Sequence, residues 1–420
     1  MKSRLRWIEC RKDYPLQEVR YQCECGELLE VVTDFESFGR TGAAWRERFQ
    51  RGADQPAFVR YRDILLPDLP AESIVSLDEG DTPLYPAHDA LLAYCGVDRL
   101  WLKHEGLNPT LSFKDRGMVA GVSWARHAGM RRVVCASTGD TSASMAAYAA
   151  RAGLDAVVLL PQGKVSREQL SQAVSYGARV LELTTDFDGC MRIVQELVRA
   201  HDFYLLNSMN SIRIEGQKAI GIETLDQLDW NVPDYFVVPV GNAGNISALG
   251  KGIRELHALR IIDRLPRLVG VESERANPLY VSYENDYAAL EPMTATATVA
   301  SAMQIGCPVS FKKAVREIRS LDGIMEQVSE TEILDAKAVL DQGGIAACPN
   351  SATGIAAVRK LRARGAIQKG ARVVAVLTGH GAKYSGDAAR YYWDERSRFS
   401  NPPRTVEATL NGVEEALGLS

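Results

Sequence analysis

The chain has 420 residues, of which 46% are hydrophobic and 24% charged. This balance and length are typical of a globular protein of about two or three domains, whose core needs no disulfide or metal. Lys and Arg number 49 against 53 Asp and Glu, a formal net charge of −4 that argues against a protein devoted to nucleic acid.

Membrane and export signals are missing from the sequence pattern. No apolar run approaches the roughly 18 residues of a membrane span, and the N-terminus lacks the apolar stretch of a signal peptide. Several of the eight Cys residues lie inside apolar runs, as Cys135 does. We therefore expect reduced thiols, a cytoplasmic location and no membrane partner.

The regular part of the chain begins near residue 100, after a mixed N-terminal segment that we expect to be irregular. Apolar residues at 187, 190, 191, 194, 197 and 198, and at 118, 122 and 125, have helical spacing. Strands alternating with helices indicate open, doubly wound, mostly parallel α/β sheets, and a loop with a short helix should form the tail. The predicted strands are Arg99–Lys103, Arg132–Ala136, Ala156–Leu160, Arg179–Leu183, Tyr235–Val240, Leu268–Glu272 and Val373–Leu377.

Candidate sites are the turns that follow strands, because ligands of such sheets bind outside the carboxyl ends of the strands. In NPTLSFKDRG, at 108–117, Lys114 stands where a helix begins. An ammonium is unfavourable there, so a lysine bound covalently to a cofactor fits better than a free one. A solvated surface lysine is the alternative that this turn alone leaves open.

The second turn, ASTGDTSAS at 136–144, is rich in hydroxyls at a helix start. It suits a carboxylate or a phosphate, and ordinary helix capping is the alternative.

The third turn, VGNAGN at 240–245, has two glycines that let the backbone wrap a phosphate. It is neither a P-loop nor a dinucleotide fingerprint.

Two further turns carry polar groups. LTGHG, at 377–381, places Thr378 where it can bond a cofactor heteroatom, and His380 is as easily a turn residue as an acid or base, so we give it no catalytic role. NSMNSIRIEGQK, at 207–218, carries Arg213, which is suited to bidentate anion binding, although a solvated charged loop has the same composition.

Together the five turns resemble fold type II pyridoxal-phosphate enzymes and, among them, threonine synthases. The resemblance runs from SLDEGDTPL at 76–84 to the tail. It is closest to the plant-type subgroup, and the stretches that carry this finer match are ASTGDTSAS at 136–144, TDFDGCM at 185–191, NSMNSIRIEGQK at 207–218, ASAMQIGCPVS at 300–310 and RFSNPP at 398–403.

The resemblance implies an enzyme that makes L-threonine and phosphate from O-phospho-L-homoserine and water with pyridoxal 5'-phosphate. Lys114 matches the lysine that holds the cofactor and later moves protons, and Asp140 matches the position beside the cofactor 3′-oxygen. The remaining cofactor matches are Gly241, Asn242, Ala243, Gly244 and Asn245 around the phosphate and Thr378 at the pyridine nitrogen. Ser137, Thr138 and Thr141 match the turn that binds the substrate carboxylate and part of its phosphate. The matches at the substrate phosphate site are Ser208, Asn210 and Arg213.

Two departures from the broader family bear on the site. Many relatives have Asn where this chain has Asp140, and a carboxylate beside an ionised phenolic oxygen is repulsive. Our hypothesis is that Asp140 shifts the protonation of the cofactor. Cys10, Cys23 and Cys25 resemble the start of a zinc ribbon, but Trp7 stands in the place of the first cysteine and the second pair has C-x-C spacing, so we expect no bound metal.

The resemblance also implies an organisation and leaves alternatives. We expect an N-terminal segment over 1–75, a large cofactor domain over 76–125 and 225–400, a small substrate domain over 126–224 and a tail over 401–420. A homodimer is implied, and activation by S-adenosylmethionine stays open. The alternatives are another pyridoxal-phosphate lyase, such as a threonine or serine dehydratase, and a non-catalytic homologue that binds a ligand.

Overall fold

The computed structural model describes residues 2–137, 139–163 and 167–419. The chain divides into two compact units with a boundary between Lys383 and Tyr384. The strands are β1 Ser3–Arg6, β2 Asp13–Pro15, β3 Glu30–Thr33, β4 Leu84–Pro86, β5 Arg99–His104, β6 Arg132–Ala136, β7 Asp155–Pro161, β8 Arg179–Leu183, β9 Tyr204–Leu205, β10 Tyr235–Pro239, β11 Arg267–Ser273, β12 Ile324–Val328 and β13 Arg372–Leu377.

The helices alternate with these strands for most of the chain. They are α1 Gly42–Gln50, α2 Ala57–Arg60, α3 Arg62–Leu65, α4 Asp89–Cys95, α5 Lys114–His127, α6 Asp140–Ala152, α7 Arg167–Ser175, α8 Phe187–Ala200, α9 Ser211–Gln217, α10 Ala219–Gln227, α11 Gly244–Ala258, α12 Pro278–Glu284, α13 Phe311–Ser320, α14 Glu330–Gln342, α15 Pro349–Ala363, α16 Ser385–Trp393 and α17 Leu410–Leu417. Among the described residues, no helix is long and apolar enough to cross a membrane.

Two mostly parallel sheets form the first unit with a small antiparallel one. The large sheet has the order β12-β11-β10-β13-β5-β4, in which only β4 runs antiparallel. The second sheet has the order β8-β7-β6-β9 and is parallel throughout. The central strands are buried on both faces, which explains their near-continuous runs of Val, Leu and Ala. The predicted doubly wound α/β class is confirmed.

All the strands that the sequence predicts are present, and each observed end lies within one residue of the predicted end. β12 escaped prediction because its sequence, IMEQV, breaks the apolar run with Glu326 and Gln327. Glu326 is 1% exposed in the strand, where Arg364 neutralises it at 3.0 Å. A tertiary ion pair therefore makes a polar sequence acceptable in a buried strand.

The N-terminal segment is more ordered than its weak periodicity indicates. β1 pairs with both β2 and β3 in a three-stranded antiparallel sheet, and α1 to α3 follow. The Leu29 carbonyl, just before β3, accepts bonds from Ser211 at the start of α9 and from Lys313 in α13. Tyr21 accepts a bond from the Leu205 N–H at 2.8 Å. The segment thus packs directly against the turn between β9 and α9.

A buried ion network ties the start of α5 to the rest of the large sheet. Arg116 pairs with Glu105 at 2.7 Å and with Glu223 at 2.6 Å, and Lys103 also reaches Glu223, at 2.5 Å. All four side chains are at most 2% exposed. Burial alone would raise the pKa of Glu223, but Arg116 and Lys103 outweigh it and hold that pKa well below its ordinary value.

Replacing Glu223 by Gln is expected to lower the free energy of unfolding by about 3–5 kcal/mol, because two buried cations then lack their shared carboxylate. Urea unfolding measures this loss. The control is Arg267→Met, which breaks a surface pair with Asp322 at 2.9 Å and should cost about 1 kcal/mol or less. Equal losses in the two variants would contradict the role of the network.

Candidate active site

Lys114 is the first residue of α5, and its neighbours fix its position from both sides. Asp115 accepts bonds from the Thr110 N–H at 2.7 Å and hydroxyl at 2.6 Å, and from Ser144 at 2.5 Å. Phe113 donates its N–H to the Thr378 carbonyl at 3.0 Å. The start of the helix is therefore bonded to the end of β13 and to α6.

The amine of Lys114 is half-buried and lies 3.7 Å from the centre of the Phe113 ring. Burial lowers its pKa to about 8; Asp140 opposes this shift, whereas the cations Arg213 and Lys383 add to it. A lysine of lowered pKa carries a usable fraction of neutral, nucleophilic amine near neutral pH. The alternative of an ordinary solvated lysine is therefore not what the structure shows.

The turn after β6 begins α6 at Asp140. The Ser137 hydroxyl accepts bonds from the N–H groups of Gly139 and Ser142, each at 3.3 Å, so Ser137 supports the helix start in part as a cap. Thr141 is half-buried there, and Thr138 lies outside the described residues. The Asp140 carboxylate pairs with Lys383 at 2.9 Å.

The turn after β10 presents a helix start with open hydrogen-bonding groups. α11 begins at Gly244 with no side-chain cap, and Ala243 before it has a positive φ of 61°. The buried Asn245 amide has no hydrogen-bond partner at either end within the described chain, and neither has the Ser310 hydroxyl. At Gly241 a Cβ atom would approach the Ala302 carbonyl to 3.0 Å, which favours glycine. The arrangement fits a phosphate group.

The turn after β13 carries Thr378, which is 7% exposed. Its hydroxyl lies 3.3 Å from that of Ser351, and Ser351 also contacts the Cys348 thiol at 3.2 Å. His380 accepts a bond from the Ala382 N–H at 3.1 Å, and burial lowers its pKa. This supports its interpretation as a turn residue.

The turn between β9 and α9 holds Arg213, which is 2% exposed. One of its N–H groups donates to the Leu206 carbonyl at 2.9 Å, while its buried Nε has no partner among the described residues. Burial lowers the pKa of Arg213 to about 10. Asn210 caps α9 through its side-chain oxygen, and Ser208 is half-buried in the turn. An inward guanidinium with an unused donor is suited to an anion.

Several residues that the sequence gave no role prove to connect these turns. Asn207 exchanges two bonds with the backbone of Ala136, at 2.9 Å and 2.7 Å, and so joins the Arg213 turn to the end of β6. Ser310 donates its N–H to the Asn242 carbonyl at 3.2 Å. Asn207 and Ser310 lie in stretches that carry the family resemblance, and that resemblance was the signal by which sequence reasoning could have found them. Lys383, which pairs with Asp140, lies outside those stretches.

The three cysteines of the N-terminal segment come together in the structure. The sulfur atoms of Cys10, Cys23 and Cys25 lie within 4.8 Å of one another, and those of Cys10 and Cys23 are 3.5 Å apart. The backbone N–H of Cys25 and then the Tyr14 hydroxyl lower the pKa of Cys23 to about 6. Trp7 is 2% exposed in the core. The absence of a metal here stays a prediction.

Fold and site together define an enzyme of the pyridoxal-phosphate class. A neutral lysine amine suits the aldehyde of that cofactor, and the open start of α11 with the unpartnered Asn245 amide suits its phosphate. The pyridoxal-phosphate dependent enzyme family model matches residues 75–379.

Comparison with known proteins narrows the class. A threonine synthase of Methanocaldococcus jannaschii is 42% identical over 413 residues, which cover 98% of each chain. The chloroplastic threonine synthase 2 of Arabidopsis thaliana is 39% identical over 97% of this chain and 82% of its own. The solved threonine synthase of Escherichia coli has a similar fold, with a TM-score of 0.66, 21% identity and 81% coverage of each chain. The chain belongs to the threonine synthase family.

The lowered pKa of Lys114 predicts how cofactor binding depends on pH. The rate at which cofactor-free protein takes up pyridoxal phosphate should rise as the pH passes about 8, where the amine loses its proton, and then level off. Absorbance after rapid mixing measures this rate, and Lys114→Ala should show no covalent uptake. A midpoint near the ordinary lysine value of 10.5 would contradict the account.

Proposed function

We propose that this chain converts O-phospho-L-homoserine and water to L-threonine and phosphate. The observation that carries the proposal is the buried guanidinium of Arg213, which has an unused Nε donor and lies near enough to Lys114 to lower the pKa of its amine. A cation held in this way needs an anion, and a phosphate ester that departs during the reaction supplies one.

The cofactor-binding residues follow from the turns. Lys114 would hold the cofactor covalently, the turn from Gly241 to Asn245 its phosphate, Thr378 its pyridine nitrogen, and Asp140 would lie beside its 3′-oxygen. Bound there, pyridoxal phosphate withdraws electrons and acidifies the substrate carbons. Ser137, Thr138 and Thr141 would bind the substrate carboxylate and part of its phosphate.

Each residue has a physical task in this reaction. With its pKa lowered to about 8, the Lys114 Nζ would be a base suited to moving protons between the α- and β-carbons of the substrate. Arg213 stabilises the charge that develops on the departing phosphate. Ser208 adds a hydroxyl to that site, and Asn210 fixes the start of α9, so that Arg213 stays aimed at the phosphate.

A pyridoxal-phosphate dehydratase acting on serine or threonine is the second candidate. Serine racemases and threonine deaminases share the fold, which favours no substrate by itself. Such substrates carry no phosphate, so they leave the buried Arg213 donor without a partner at a cost of about 1–3 kcal/mol. The charge of the site therefore favours the phosphorylated substrate.

The decisive assay follows phosphate and threonine together when purified holoenzyme meets O-phospho-L-homoserine. Equimolar phosphate and threonine are expected. Phosphate with 2-oxobutanoate would mean elimination without capture of water, and the product assignment would be wrong. Turnover of L-serine or L-threonine, with none of the phosphorylated substrate, would favour the dehydratase.

Arg213→Gln is expected to reduce kcat by about 100- to 1,000-fold, because the departing phosphate loses its buried cation. Steady-state release of phosphate measures the loss, and Arg213→Lys should recover part of it. The absorbance of bound cofactor serves as the control, since Lys114 stays in place. A kcat that is unchanged in Arg213→Gln would remove the phosphate site from Arg213.

The finer assignments belong to the same proposal. We infer a small substrate domain over 126–224 and a large cofactor domain over 76–125 and 225–400, with the segments 1–75 and 401–420 outside them. The plant-type subgroup is supported by Asp140 and by the relative from Arabidopsis thaliana. A homodimer follows from the family resemblance, a cytoplasmic location follows from the pattern of cysteines in apolar runs, and activation by S-adenosylmethionine stays open.

A further inference from the structure

Lys383 makes an ion pair in the candidate site, and the sequence did not indicate this pair. Its Nζ lies 2.9 Å from the Asp140 carboxylate, with the two side chains 13% and 11% exposed. Lys383 follows β13 in the large sheet, whereas Asp140 begins α6 beside the second sheet. The pair therefore bridges the two sheets next to Lys114.

The charges around Lys114 explain why this pair matters. The groups that act on its amine are the carboxylate of Asp140, the cations Arg213 and Lys383, and the thiol of Cys348. The proposed function places the cofactor 3′-oxygen beside Asp140. Two neighbouring anions repel each other, and the repulsion is larger in a partly buried site than in water.

We propose that Lys383 is a positioning residue that fixes the Asp140 carboxylate in place and offsets its charge, and through Asp140 sets the protonation of the bound cofactor. The ion pair relieves part of the repulsion between Asp140 and the cofactor 3′-oxygen. The 13-residue α6 adds to the effect, because Asp140 is in its first turn, where a negative charge is favoured. This inference rests on the placement of Asp140 in the proposed function.

The test is a pH titration of the cofactor absorbance in holoenzyme without substrate. In Lys383→Met the negative charge of Asp140 is no longer offset, so the protonated form of the bound cofactor gains stability. The titration midpoint should move upward by about 0.5 to 1 pH unit. Lys383→Arg should restore the original midpoint, and Asp140→Asn should move it downward.

The double variant Asp140→Asn/Lys383→Met separates the proposed route from a direct effect of charge. If Lys383 acts through Asp140, removing Lys383 in the Asp140→Asn background should move the midpoint by less than half as much. An equal shift in both backgrounds, a downward shift, or no shift in Lys383→Met would each overturn the proposal. If Lys383→Met does not bind cofactor, Lys383→Gln carries the same comparison.

Lys369→Met is the matched control for loss of one positive charge. Lys369 contacts Asp98 at 3.9 Å on the surface, near the start of β13 and so at the opposite edge of the sheet from the site. Its titration should be that of the unmodified protein. Because no substrate is present, the titration can succeed where the threonine assay fails, which distinguishes this proposal from the proposed function.

Discussion

The position of the Lys114 amine is the constraint on which the rest of the site depends. Two buried charged residues, Asp115 and Arg116, follow Lys114 in the chain. Their side chains bind different parts of the fold. Asp115 is bonded to the turn before the helix and to α6, and Arg116 to Glu105 and Glu223 of the large-sheet side. Because each charge is fully partnered, the helix start has no freedom to rotate the amine away from the strand ends.

The same logic of paired charges extends to the substrate side. Arg213 is buried with an unused donor. Asn207 joins its turn to the end of β6, and Tyr21 and Leu29 join it to the N-terminal segment. The segment that the sequence predicted to be irregular therefore supports the Arg213 turn. Asp140 offsets part of the positive charge and limits how far the pKa of Lys114 falls.

The sequence predicted the fold well because buried parallel strands leave a strong local signal. The runs that became β6, β10 and β13 consist mostly of Val, Leu, Phe and Ala, and polar turns follow each of them. β12 was missed because its two polar residues depend on partners distant in the chain. Lys383 was missed for a related reason, since its partner Asp140 lies 243 residues away.

The polar turns fitted both helix capping and anion binding, and the sequence alone did not choose between the two. Ser137 and Asn210 do act as helix caps, as the simpler interpretation had it, and this leaves their turns no less suited to an anion. Lys114 was equally ambiguous until burial and its charged neighbours were known. Local sequence thus indicated the candidate site, while long-range packing supplies the burial and the charged neighbours of its groups.

Borohydride reduction of the holoenzyme, followed by peptide mapping, tests the central claim most directly, because reduction fixes the cofactor permanently to the lysine that holds it. The account predicts that the phosphopyridoxyl label is found on Lys114 alone. Label on Lys383, the other lysine beside Asp140, would contradict both the placement of the cofactor and the role of the ion pair.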